Sequence, residues 1–119
     1  MKKKYYVCSP YRSEDKMKMA ANQLRAQGLC EEIEELVPNC KCYAPHAFLP
    51  YLLDDTVEKE REIALEFGLK ILDLCDVLVV CGDIVSEGMA KEIAYARKHN
   101  KKVLTYKKGV LKWKIFLKN

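Results

Sequence analysis

The sequence predicts an α/β protein: a small flavodoxin-like or Rossmann-like three-layer sandwich with a four- to five-stranded, mainly parallel sheet. Three observations carry this reading. Val77–Cys81 is an apolar, mostly β-branched run without alternation, the pattern of a strand covered on both faces. Stretches with helical spacing separate it from other short apolar runs, in the order β-α-β-α-β-α-β. Those stretches are long enough for the crossovers that parallel strands need. With 119 residues, half of them hydrophobic, residues 1–119 are read as one domain around one core.

Each element has a local justification. Tyr5–Cys8 is a short apolar strand, broken by Ser9-Pro10-Tyr11-Arg12. Ser13 is placed to cap the first helix, with Glu14 and Asp15 in its first turn, where the helix dipole favours acids. Met17, Ala20, Ala21, Leu24 and Ala26 mark its apolar face, and Gly28 its end. Leu29–Leu36 is a second helical piece or a continuation, closed by Pro38-Asn39. Cys42–Ala44 is a second strand that Pro45-His46 ends. Ala47–Leu53 contains Pro50 and reads as a loop or a single turn over the sheet, with Phe48, Leu49 and Tyr51 in the core or as a lid. Asp54-Asp55-Thr56 caps a helix over Val57–Leu74, whose stripe is Ile63, Ala64, Phe67, Ile71 and Leu74. After the Val77–Cys81 strand, Gly82 and Asp83 break the chain and Ser86 caps a helix that runs to about His99, with Asn100 as its stop. Val103–Tyr106 is a fourth strand, and Val110–Leu117 an edge strand or a terminal turn.

Composition narrows the function classes. No apolar run approaches the roughly 20 residues of a membrane span. Val7-Cys8 passes straight into Ser9-Pro10-Tyr11-Arg12, which is not a signal-peptide pattern, so a cytoplasmic protein is expected. The net charge of +4 comes from Lys2–Lys4 and six lysines between Lys101 and Lys114, read as solvated termini. No nucleic-acid motif interleaves aromatic with basic residues, so neither nucleic acid nor membrane is expected as a partner. Cys8, Cys30, Cys40, Cys42, Cys75 and Cys81 are read as buried free thiols. The spacing of Cys40-Lys41-Cys42 is not that of a zinc site, and no metal or other cofactor is expected.

In an open parallel sheet, ligands bind beyond the C-terminal strand ends. Those ends gather Ser9–Arg12, Tyr43–His46 and Gly82–Gly88. Ser86 and Gly88 open a helix whose backbone N–H groups suit a phosphate, and Arg12 adds a bidentate partner. Glu92 stands six residues past the cap, about one and a half turns into the helix, and reaches back toward the cleft. Each of these residues also has a plain structural reading: Ser86 as a cap, His46 as a loop residue, Glu92 as a solvated helix charge.

The segment Gly88-Met89-Ala90-Lys91-Glu92-Ile93-Ala94-Tyr95-Ala96, following an apolar strand and with Ser86 six residues before Glu92, resembles the active-site segment of the nucleoside 2-deoxyribosyltransferase superfamily. That group includes the deoxynucleoside 5′-monophosphate N-glycosidases. Ser9-Pro10-Tyr11-Arg12, Ala44-Pro45-His46, Leu53-Asp54-Asp55, Glu60-Arg61 and Ser86-Glu87-Gly88-Met89 resemble small members of it common in phages and prophages, over about residues 4–106. The resemblance implies a Glu92 nucleophile that forms a glycosyl ester, with water or a second base as acceptor. It implies that Tyr11 orients the nucleophile or lines the sugar pocket. It implies that Ser9, Pro10, Arg12, His46, Gly82, Asp83, Ser86, Gly88 and Met89 bind a nucleoside or nucleotide. Ser86 and Arg12 together point to a phosphorylated ligand. A homo-oligomer, dimeric or higher, is also implied, because relatives complete their pockets with a neighbouring subunit. Where the enzymes carry an Asp ahead of the third strand, this chain has Gly68 and Leu69, leaving Asp83, Glu87 and His46 as candidate substitutes. The competing expectation is a non-catalytic module that binds a nucleotide-derived ligand.

Overall fold

The computed structural model describes residues 2–49, 52–54 and 56–113. The expectations for Pro50, Tyr51, Asp55 and residues 114–117 lie outside them. The chain runs β1 (Lys3–Cys8), α1 (Lys16–Leu36), β2 (Cys40–Tyr43), α2 (Pro45–Phe48), α3 (Glu58–Leu74), β3 (Val77–Cys81), α4 (Glu87–Lys98), β4 (Lys102–Lys107), β5 (Val110–Trp113). The five strands form one sheet in the order β2-β1-β3-β4-β5. The first four are parallel, and β5 returns antiparallel along the β4 edge. The strand order reverses between β1 and β3, where doubly wound sheets hold their ligands.

The missing alternation in β3 has a direct cause. Val77, Val79 and Cys81 enter the core beneath α1, whereas Leu78 and Val80 enter the core beneath α3 and α4. Strand β1 divides likewise, with Tyr5 and Val7 on the α1 side and Tyr6 and Cys8 on the other. Each fully buried aliphatic side chain, such as Leu78, contributes on the order of 2 kcal/mol by leaving water. The six cysteines are all buried as thiols. Among the described residues no helix is long and apolar enough to cross a membrane.

Several local expectations are corrected. Helix α1 is capped by Asp15, whose carboxylate accepts from the N–H groups of Met17 and Lys18, while Ser13 Oγ accepts from Asp15 N–H. The helix passes through Gly28 without stopping, because Ala26, Leu29, Cys30 and Ile33 pack on the sheet on both sides of it. Its 21 residues span about 31 Å, against about 20 Å for a six-residue strand. The N-terminal half therefore overhangs the sheet and leaves Met17 and Leu24 exposed. Around there it contacts backbone through polar groups: Asn22 donates to the Tyr11 carbonyl in the loop after β1, and Gln23 and Gln27 to the Ala47 carbonyl of α2.

Helix α3 is also rotated from the expected stripe. Leu72 is fully buried, and Ala64, Gly68, Leu69 and Ile71 are partly buried. Ile63, Phe67 and Leu74 are exposed. No side chain caps it; Val57 holds the cap position, and Asp54 instead accepts from the N–H and hydroxyl of Thr56. Beyond β2, Pro45 begins a single helical turn, α2, which touches both α1 and α3.

Candidate active site

Helix α4 lies over β1, β3 and β4 and against α3. Ser86 fixes its start, with Oγ accepting from Met89 N–H at 3.3 Å. Its inward face carries Met89, Ile93 and Ala96, all buried. Glu92 falls on that same stripe, three residues after Met89. An acid at this place on an apolar face must find donors or give up its charge.

It finds two, both from β1. Tyr6 donates its phenol O–H to Glu92 Oε2. The Cys8 thiol donates to Glu92 Oε1 at 3.6 Å and also lies 3.8 Å from the Met89 carbonyl. Residues 6 and 8 share a face of β1 because strand side chains alternate. Register sets Tyr6 beside Leu78 and Cys8 beside Val80, so the carboxyl group has apolar walls. Burial raises the Glu92 pKa to about 7, and the Tyr6 and Cys8 hydrogen bonds offset only part of that rise. Burial, and the neighbouring Glu92 carboxylate, push the Tyr6 phenol well above its ordinary value, so Tyr6 stays a donor.

Gly68 completes the arrangement from α3. A Cβ built there lies 3.4 Å from the Tyr6 hydroxyl. Gly68 therefore approaches the hydroxyl of the Tyr6–Glu92 pair and brings no functional group to it.

A second cluster stands at the ends of β1 and β2. Ser9 is buried, and its Oγ lies 2.8 Å from His46 Nε2. Burial lowers the His46 pKa to about 4, so the ring is neutral at physiological pH. The Tyr11 ring sits 6.0 Å from the His46 ring, centroid to centroid. Tyr11 is thus beside His46, and the hydroxyl bonded to Glu92 is that of Tyr6. Pro10 is partly buried and Arg12 exposed in the same loop.

The remaining candidates occupy the loop between β3 and α4. Gly82 has φ +88°, a left-handed conformation that favours glycine, and its N–H bonds the Tyr106 carbonyl. Asp83 is exposed and ion-paired with Lys107 at the end of β4. Glu87 is exposed, 3.9 Å from Lys91. A Cβ added at Gly88 would meet no protein atom within 4 Å, so the fold itself does not demand glycine there. The Met89 side chain belongs to the core beneath α4.

Tyr6 and Cys8 are the residues that motif reading misses. A signal exists for Tyr6: a tyrosine in a strand covered on both faces needs a partner for its hydroxyl. For Cys8 there is none, since a buried cysteine is ordinary.

The family described as "Domain of unknown function (DUF7768)" matches residues 3–106. No curated protein matches the sequence. Among solved structures, the chain is similar to a 2-deoxyribosyltransferase from the psychrotolerant bacterium Bacillus psychrosaccharolyticus, at 18% identity and a TM-score of 0.62. The similarity covers 87% of this chain and 72% of that one, and it establishes a shared fold.

Proposed function

Because the chain belongs to the DUF7768 family, whose description assigns no activity, we propose a function from its site: cleavage or transfer of the N-glycosidic bond of a deoxynucleoside or its 5′-monophosphate, with Glu92 as nucleophile. The observation that supports this most directly is the Glu92 carboxyl itself, set in apolar walls and held by Tyr6 and Cys8 beside the β1/β3 switch point. The Glu92 carboxylate attacks C1′ of the sugar, the C1′–N bond breaks with its electron pair passing to the base nitrogen, and that nitrogen takes a proton from water. The resulting sugar ester passes to water or to a second base. The fold shared with a 2-deoxyribosyltransferase agrees with this class of substrate.

In this reading Ser9, Pro10, Tyr11 and His46 border the ligand on the β1–β2 side. Gly82, Asp83, Ser86 and Gly88 border it on the β3 side, and Arg12 meets a phosphate. With its pKa near 4, His46 supplies no cation and acts as a neutral hydrogen-bonding group. Ionisation of Glu92 makes base release rise as pH passes through about 7. The test is incubation with the four deoxynucleosides and their monophosphates, followed by chromatography of free base. Release by the wild type and none by Glu92→Ala supports the proposal. No release from any of the eight compounds removes it.

Gly68 favours a second reading, a module that binds a nucleotide-derived ligand without turning it over. A second acid beside Tyr6 is the group whose lack would most impair departure of the base. Thermal stabilisation by a nucleotide that is recovered intact supports this alternative.

We also propose that the working form is a homo-oligomer. Met17 and Leu24 on α1, Phe48 on α2, and Ile63 and Phe67 on α3 expose apolar surface. A second copy is the partner proposed to cover it. Light scattering on the wild type and on Leu24→Lys distinguishes a dissociating assembly from a monomer.

A further inference from the structure

The site holds its carboxyl group with a phenol and a thiol. The phenol is the stronger donor, and its pKa is raised, so its proton stays in place. The thiol is the weaker donor and has two acceptors within reach, Glu92 Oε1 at 3.6 Å and the Met89 carbonyl at 3.8 Å. One S–H serves one of them at a time. Met89 is three residues before Glu92 on α4, so turning from one acceptor to the other takes only a rotation about the Cys8 side chain.

We propose that Cys8 is a positioning residue for Glu92: its S–H donates to Oε1 when the carboxyl is ionised and turns to the Met89 carbonyl when the carboxyl holds its proton. The groups around Glu92 leave this task to few others. From β1 come Tyr6 and Cys8, from α3 the bare Gly68, and from β3 and β4 the apolar Leu78, Val80 and Val103. The charged pair Asp83–Lys107 is exposed in the loop region above. Held more weakly than Oε2, Oε1 is the oxygen released to attack; that last consequence rests on the glycosyl-transfer reading, whereas the positioning itself does not.

The test is a carbon-13 titration of the glutamate side-chain carboxyls, with Glu92 assigned by Glu92→Gln. In Cys8→Ala the Glu92 midpoint moves up by about half a pH unit, because a donor to the charged form is gone. In Cys8→Ser, which restores a donor, the midpoint stays at or below that of the wild type. Should Cys8→Ala not fold, Cys8→Val, a strand-compatible residue without a donor, replaces it in the comparison. An unmoved midpoint in the donor-less variant overturns the proposal. So does a Cys8→Ser midpoint raised as far as that of Cys8→Ala, which would trace the effect to lost sulfur volume. Where base is released, the acid limb of its pH profile follows the same order. A wild type that releases no base, yet titrates as described, overturns the glycosyl-transfer reading and supports the positioning by Cys8.

Discussion

Glu92→Gln separates the electrostatic cost of the site from any activity. In the folded protein burial raises the Glu92 pKa to about 7, from a usual value of 4.5. Between these values the folded chain binds more protons than the unfolded one. Stability therefore falls as pH rises through the window, and the loss is complete above the folded-state value. A difference of about 2.5 pH units at 1.36 kcal/mol each corresponds to about 3 kcal/mol. Glutamine has the same shape, carries no charge, and its carbonyl oxygen still accepts from Tyr6. The variant should nearly match the wild type at about pH 5 and exceed its stability by about 2 to 3 kcal/mol at about pH 8.5. Urea unfolding at the two pH values, with wild type and variant side by side, measures the double difference. Equal offsets at both pH values would refute the reasoning, since a packing effect does not depend on the ionisation of residue 92. A loss of stability at high pH would show that the charged carboxylate is better satisfied than Tyr6 and Cys8 alone can explain.

Tyr6→Phe deletes the stronger donor, so the Glu92 titration midpoint should rise above 7 by about one pH unit or more, read by the same carbon-13 titration. Ser86→Ala removes the oxygen that accepts from Met89 N–H and should lower stability by about 1 kcal/mol in urea unfolding, with little change in the Glu92 midpoint. Leu72→Ala empties a fully buried position beneath α3 and should destabilise by about 2 to 5 kcal/mol. Leu24→Ala, on the exposed overhang of α1, should change the unfolding free energy of an isolated chain by less than about 0.5 kcal/mol. The contrast between the two leucine variants tests whether α1 overhangs the sheet as described.

The elements that read correctly from sequence are those set by near neighbours. Val77–Cys81 is a strand over the residues expected, because both of its faces are apolar. Ser86 caps α4 because its hydroxyl needs only the N–H three residues on. Gly28 misleads for the complementary reason: its cost to a helix interior is about 1 kcal/mol, less than the burial of Leu29, Cys30 and Ile33 beyond it returns. The stripes of α1 and α3 escape such reading because spacing alone does not say where a long helix leaves the edge of a short sheet.

Glu92 lies between these cases. Its place on the stripe of Met89, Ile93 and Ala96 follows from helical spacing, and so does the conflict between an acid and an apolar surface. The α/β class, the strand-loop-helix around Ser86 and a Glu92 that either reaches back toward the cleft or stands as a solvated charge are thus legible in the order of residues. What answers Glu92 is not. Tyr6 and Cys8 stand 86 and 84 residues away along the chain, and Gly68 reaches the same point from another helix. Parallel register brings them together, and register is settled by packing across the whole sheet rather than by any local pattern.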